Sequence, residues 1–316
     1  MKKVSLVVLH FTNKEFTDQC LDSVRKLKTK DFKLETIVVN NNPKEDLKDL
    51  EKKFGDFIFL ETRNNLGFAG GNNAGIKRAL EEGTDWVFVV NNDTIFDKDL
   101  VVQLFKAGEK DEKVGILSPK IYFAPGYEFH RERYKPNERG KVIWYAGGVM
   151  DWQNLLASHR GVDEVDKGQY DEQTETSFIS GCAMFIKREV FEKIGLLDER
   201  YFLYLEDNDF CQRAKRAGFK LLYVPKAKLW HANAASSAVG GPLHDYYLAR
   251  NRLLFGIKYA PLRTKLALIR ESLRLLLSGR KWQKRGIRDF YFAVAGEVTR
   301  NKLAYLGRLG KGSYET

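Results

Sequence analysis

The chain has 316 residues, 43% of them hydrophobic, which suffices for one large core or a core with a small appendage. Its three cysteines are too few and too scattered for a disulfide framework or a zinc knuckle, and no run approaches the roughly 20 apolar residues of a membrane-spanning helix. The formal charge of +11 sits at one end: residues 241–316 hold sixteen Lys and Arg against five Asp and Glu, so an anionic partner, either nucleic acid or an acidic membrane surface, is expected for that segment.

The opening VSLVVL (4–9) begins like a signal peptide but breaks at His10, Thr12 and Asn13 with no small-residue cleavage site, so it reads as a buried strand. TIVVN (36–40), FIFL (57–60) and WVFVV (86–90) read the same way. Between the first two, Phe16, Cys20, Val24 and Leu27 recur on one face of a helix. This alternation predicts a mostly parallel α/β sheet, which places ligands at the carboxyl ends of its strands. Three of those ends are polar: His10 to Asn13, Asn40-Asn41-Asn42, and Asn91-Asn92-Asp93. Their convergence predicts a binding crevice.

Residues 121–176, rich in aromatics, Gly and charge, predict hairpins and loops that shape a second substrate pocket. SFISGCAMFI (177–186) restores order, a short helix follows near 188–194, and a further helix starts at Glu206 and Asp207 and stops at Gly218. Beyond Gly240-Gly241 the chain turns into basic helices. Leu262, Leu266, Ile269, Leu273 and Leu276 form an apolar stripe edged by Arg263, Arg270 and Arg274. A second stretch over about 287–306 carries Phe290, Tyr291, Val294 and Val298 behind Lys281, Lys284, Arg285 and Arg288. The expected organisation is a main domain over 1–240 and a basic amphipathic helical extension over 241–316.

Asp93, just past a buried strand and the charged member of its triplet, suits a hard cation such as Mg2+ or Mn2+ that also takes substrate phosphates. The same residues equally suit a turn in which Asp93 or Thr94 caps a helix starting near Asp97. In RNNLGFAGGNNAGIKRAL (63–80), glycines at a helix start, Gly67 first and Asn72 close behind, suit close backbone approach by a nucleotide or its phosphates; a tight turn is the plain alternative. EDND (206–209) places three acids at a helix N-terminus, where the dipole favours the ionised form and solvated capping is the alternative. His231, after LYVPKAKLW, reads as a hydrogen-bonding residue or a metal ligand.

Taken in order, these stretches, together with SGCAMFIKREVFEKIGLLDERYFLYLEDNDFCQRAKRAGF, WHAN and YYLARNRLLF (246–255), resemble the inverting family 2 glycosyltransferases of GT-A fold. The likeness covers about residues 3–255 and is strongest to bacterial members that build cell-surface polysaccharides, many described as rhamnosyltransferases. It implies a metal held by Asp93, which matches the last acid of the family's D-x-D motif, and by His231. Asn91 departs from the first acid of that motif, so the site carries less charge. It implies Asp207 as catalytic base, with Glu206 supporting it or contacting the acceptor. Asn40 stands where relatives have an Asp that contacts the nucleotide base, and Arg63 and Asn64 are expected to reach the base or diphosphate. His10, Thr12, Asn41, Gly67, Asn72 and Asn92 complete the expected donor site. Arg250, in a Tyr-rich helical pattern beside Asn251, is expected to hold the diphosphate or a phosphate-bearing acceptor, a surface or capping role being the alternative.

The expected reaction is sugar transfer from a dTDP- or UDP-linked donor to a glycan or lipid-linked hydroxyl, at the cytoplasmic face of a membrane reached by the basic helices; a homodimer is a further expectation. A nucleotidyltransferase would share sheet, metal and nucleotide, but the Gly-rich, Lys-containing loop of sugar-nucleotide pyrophosphorylases is missing from the N-terminus. A non-enzymatic binder of anionic polymers would rest on the tail alone. There the basic residues flank leucines rather than interleave with stacking aromatics, which favours membrane over nucleic acid.

Overall fold

A computed structural model describes residues 1–233 and 240–295. The strands are β1 (Lys3–His10), β2 (Lys33–Asn40), β3 (Ile58–Glu61), β4 (Trp86–Asn91), β5 (Thr94–Phe96), β6 (Val114–Phe123), β7 (Ile143–Tyr145), β8 (Gly148–Asp151), β9 (Leu156–His159), β10 (Thr174–Glu175), β11 (Ala183–Lys187) and β12 (Lys220–His231). The α-helices are α1 (Lys14–Val24), α2 (Lys48–Lys53), α3 (Gly67–Glu81), α4 (Leu100–Gly108), α5 (Arg188–Ile194), α6 (Glu206–Arg216), α7 (Pro242–Tyr259), α8 (Leu262–Ser278) and α9 (Lys281–Ala295).

The main sheet runs β10-β12-β6-β11-β4-β1-β2-β3. β1 to β4, β6 and β12 point one way, and β11 runs against them between β4 and β6. The valine-rich strands are buried because helices cover them: α3 packs on β1, β2 and β4, while α4 packs on β6 and β12. Gly75 and Gly71 permit the first of these contacts, since a Cβ there would lie 2.4 Å from Val7 Cγ1 and 2.6 Å from Leu9 Cδ1. In α1 the buried face is Thr17, Cys20, Leu21 and Val24, whereas Phe16 sits at the rim against Tyr127, ring centroids 5.9 Å apart.

The 121–176 segment is less separate than expected. β7 joins β6 and β10 joins β12, so part of it widens the main sheet, and β8 with β9 forms the hairpin. The helices after Gly240 are also not a detached piece. Leu253, Phe255, Leu268, Ile287 and Phe290 share a second core with Met150, Leu155 and Tyr201. Of the stretch expected over 287–306, α9 carries the part up to Ala295, and Val298 lies outside the described residues.

The stripe on α8 faces outward. The buried positions of α8 are Thr264, Leu268 and Ser272, while Leu262, Leu266, Ile269, Leu273 and Leu277 are between 37% and 83% exposed. Leu276 instead turns partly into the second core. Arg263, Arg270 and Arg274 are exposed along the same face and make no ion pair among the described residues. No described helix is long and apolar enough to cross a membrane.

Candidate active site

Strand register brings the polar ends together. His10 pairs with Asn40, Leu9 with Asn91, and His231 with both Thr94 and Phe123. Because β5 runs antiparallel to β12, the turn between β4 and β5 delivers Asp93 to His231. Asp93 Oδ1 lies 3.0 Å from His231 Nε2, and the Ala232 N–H donates to the Asp93 carbonyl at 2.9 Å. Asp93 and Thr94 cap no helix: α4 begins only at Leu100, and the Thr94 hydroxyl donates to the Asn91 carbonyl at 2.7 Å. Burial alone would lower the His231 pKa, yet its neighbours Cys182 and Asp93 lift it well above the ordinary histidine value. Burial also raises the Cys182 thiol, which leaves that thiol neutral at physiological pH and makes the Asp93 carboxylate the effective partner. A carboxylate oxygen and an imidazole nitrogen in contact supply two donors that fit Mn2+ or Mg2+ once the imidazole gives up its proton, with places left for phosphate oxygens.

The second acidic centre is the start of α6. Gly181 N–H donates to Asp207 Oδ2 at 2.8 Å, while the Asn208 backbone and side-chain amides donate to Oδ1 at 2.7 and 2.9 Å. The next residue, Cys182, accepts the Asn91 N–H at 3.1 Å through its carbonyl. Gly181 and Cys182 therefore tie Asp207 to the strand end that leads into Asp93. Nothing in the sequence beyond a run of small residues before a strand signals this bridge. Asp207 remains half-buried, and burial raises its carboxyl above the usual range although the hydrogen bonds from Gly181 and Asn208 oppose the shift. Glu206 is 5% exposed, its Oε2 has no partner among the described residues, and burial followed by the neighbouring Asp207 charge raises it well above the ordinary value. Asp209 serves the fold instead of capping in solvent: it is buried and paired with Arg213, Lys258 and the Tyr259 hydroxyl.

Other expected donor contacts are spent within the protein. Asn40 donates to the Glu45 carbonyl at 2.8 Å and accepts the Asn42 N–H at 3.0 Å, so both ends of its amide fix the turn rather than await a nucleotide base. Asn41 bonds Gly67, Leu66 and Thr62 and staples the loop before α3. His10 is buried against Thr17, 2.7 Å away, and Asn92 donates to the Thr12 carbonyl and the Thr17 hydroxyl. Asn72 bonds the Phe68 carbonyl within its own helix. The glycine-rich start of α3 is not an open phosphate cradle: the Phe202 carbonyl accepts the Phe68 N–H at 2.6 Å, and Phe202 would clash with a Cβ on Gly67, whose φ is +73°. Asn73, an unexpected contributor, fastens the approach to the Phe202 loop through both N–H and C=O of Leu197. Arg250 is likewise committed, its Nε to Asn251 and its Nη2 to the carbonyls of Arg200 and Tyr201. Thr12, Arg63 and Asn64 remain exposed, and the Arg63 guanidinium makes no hydrogen bond or ion pair among the described residues.

The sequence model of the family described as Glycosyl transferase family 2 matches residues 5–195. The low-salt glycan biosynthesis hexosyltransferase Agl10 of Haloferax volcanii is 27% identical over 188 residues, 59% of this chain and 55% of that protein. The N-acetylglucosaminyl-diphospho-decaprenol L-rhamnosyltransferase of Mycobacterium tuberculosis is 26% identical over 195 residues, 59% of this chain and 62% of its own length. The chain thus spans somewhat more than half of either relative. In fold it is similar to GalNAc-T7, solved with UDP, GalNAc and Mn2+, with a TM-score of 0.56 and 16% identity over 73% of this chain and 44% of that one. The expected GT-A architecture, a mostly parallel central sheet followed by a C-terminal helical extension, is the one observed.

Proposed function

The chain belongs to glycosyl transferase family 2, and from that premise we propose that it moves a sugar, rhamnose first among the candidates, from a nucleotide-diphosphate donor to a glycan or lipid-linked hydroxyl, with inversion. The observation that carries this reading is the juxtaposition of the Asp93–His231 pair, 3.0 Å apart, with Asp207 across the Gly181–Cys182 bridge. The L-rhamnosyl and diphospho-decaprenol terms in one relative's name favour the sugar and a lipid-diphosphate acceptor.

Asp93 and His231 would hold Mn2+ or Mg2+, which, when bound, stabilises the charge growing on the departing diphosphate. Asp207 acts as general base. Oδ1 already accepts two hydrogen bonds and Oδ2 one, so Oδ2 keeps the free lone pair for the acceptor proton. As that proton transfers, the acceptor oxygen bonds to the anomeric carbon and the bond from that carbon to the diphosphate oxygen breaks on the opposite face. Glu206, whose carboxyl burial pushes well above its ordinary value, offers a hydrogen-bond donor beside Asp207 when protonated, instead of a second negative charge. Arg63, exposed and without a hydrogen bond or ion pair among the described residues, is free to reach the nucleotide base or the diphosphate. The outward leucines and arginines of α8 suit an anionic bilayer, where a lipid-linked acceptor would reside, and support a peripheral position at the cytoplasmic leaflet.

A screen of dTDP-, UDP- and GDP-sugars with a prenyl-diphosphate N-acetylglucosamine acceptor and Mn2+ tests the reading. Release of nucleoside diphosphate together with glycosylated acceptor is expected. Pyrophosphate release would point to nucleotidyl transfer, and no turnover with any pair would defeat the proposal.

A further inference from the structure

Between Tyr201 and Leu205, just before Glu206, three non-glycine residues take left-handed backbone: Phe202, Tyr204 and Leu205 have φ of 63°, 72° and 69°. Side chains seldom tolerate that conformation, and it persists only where the surroundings dictate it. Here the dictating groups come from α7. Asn251 is fully buried, and its Nδ2 donates to the carbonyls of Tyr201, Leu203 and Tyr204 at 2.9, 2.8 and 2.8 Å. Its Oδ1 accepts the Arg250 Nε at 2.8 Å, and Arg250 Nη2 donates to the carbonyls of Arg200 and Tyr201 at 2.5 and 2.8 Å. The Arg250 guanidinium rests on the rings of Tyr246 and Tyr247, 5.7 and 5.0 Å from their centroids. One amide and one guanidinium thus satisfy four consecutive or near-consecutive carbonyls that a regular helix or strand would have paired for itself.

The loop they hold touches both halves of the site. Its Phe202 carbonyl takes the first amides of α3, at 2.6 Å from Phe68 N and 3.4 Å from Ala69 N. Its last residue, Leu205, is the N-cap of α6, so its conformation fixes where Asp207 stands opposite Gly181. The geometry points to Asn251 and Arg250 as positioning residues, which clamp the 200–204 carbonyls and thereby set the base on α6 and the donor-side start of α3 in register. The consequence for turnover rests on the role proposed for Asp207; the clamp itself does not. Arg250 then acts through the loop and not on a phosphate.

Backbone hydrogen exchange of the full chain tests this. The reporters are the amides of Phe68 and Ala69, bonded to the Phe202 carbonyl, and of Gly181, bonded to Asp207. Asn251→Asp keeps the shape but removes the donations to the loop. It is expected to speed exchange at all three reporters about tenfold while Leu6 and Val8 in β1 keep their wild-type rates. Arg250→Lys, the second variant should the first fail to fold, is expected to speed Gly181 and Phe68 and to leave the affinity for a Mn2+–nucleoside diphosphate within about twofold. With an active wild type, both variants should lower kcat far more than they raise the donor KM. Unchanged reporters, or β1 amides accelerating equally, would overturn the clamp. So would an Arg250→Lys variant with wild-type exchange and a nucleotide affinity weakened about tenfold, which would make Arg250 a phosphate contact. Exchange needs no substrate, so an inactive wild type would refute the proposed reaction and leave the clamp to be judged on the reporters.

Discussion

Replacing Arg263, Arg270 and Arg274 together with alanine tests the outward face of α8. All three are exposed, none is ion-paired among the described residues, and they edge leucines left uncovered, Leu277 at 83% and Leu262 at 74% exposure. Each cation near an anionic bilayer contributes on the order of 1 kcal/mol, so the triple variant should lose about 3 kcal/mol, or ~150-fold in partition coefficient. The fold should not notice, since exposed substitutions away from packed features stay within about 0.5 kcal/mol. Co-sedimentation with vesicles of phosphatidylserine and phosphatidylcholine measures the partition, with circular dichroism as the folding control. Salt supplies an internal check: at about 1 M the Debye length shrinks to ~3 Å, so the arginine contribution should fade and the leucine contribution remain. Equal partitioning of wild type and variant, or equal binding to purely neutral vesicles, would refute the membrane assignment and leave the face to a protein partner.

Asp207→Asn should cut kcat by about 10²- to 10⁴-fold, the usual worth of a general base, with nucleotide affinity by calorimetry nearly unchanged. Because burial raises the Asp207 carboxyl, the acid limb of kcat/KM should fall above the ordinary aspartate range; a limb at about pH 4 would contradict its environment. Glu206 binds its proton more tightly folded than unfolded, so its contribution to stability is fully present below the unfolded pKa and declines as pH rises toward the folded one. Glu206→Gln should therefore gain Tm over wild type progressively as pH rises above the ordinary glutamate range, and a gap that narrows with rising pH would exclude the buried acid. Gly75→Ala would press a methyl 2.4 Å from Val7 Cγ1 and 2.9 Å from Val39 Cγ2, and should cost about 1–3 kcal/mol in urea denaturation.

The strands were legible because both faces are covered, which writes unbroken valine and isoleucine runs into the sequence. The start of α6 was legible because acids gather where a helix exposes its amides. Direction and partnership were not. β11 reads like its neighbours although it runs against them, since antiparallel pairing inside a covered sheet leaves no pattern of its own. Asn40, Asn41 and Arg250 announce polarity near a site, but the sequence cannot say whether that polarity serves a ligand or the protein's own turns, and the structure spends these side chains on carbonyls and amides nearby. The glycines before Ile76 signal close approach by something; for Gly71 and Gly75 that something is the sheet. On α8, spacing reveals a leucine stripe, yet only packing shows that Thr264, Leu268 and Ser272 face inward and the stripe faces out.

The proposed chemistry is a single displacement driven by one base, Asp207, across from a diphosphate that Asp93 and His231 would hold. The most direct measurement is the anomeric configuration of the new linkage, read by NMR on product made by the full chain from a donor of known configuration. Inversion together with stoichiometric nucleoside diphosphate is expected, with loss of both in Asp207→Asn. Retained configuration, or inverted product formed at wild-type rate by that variant, would contradict it.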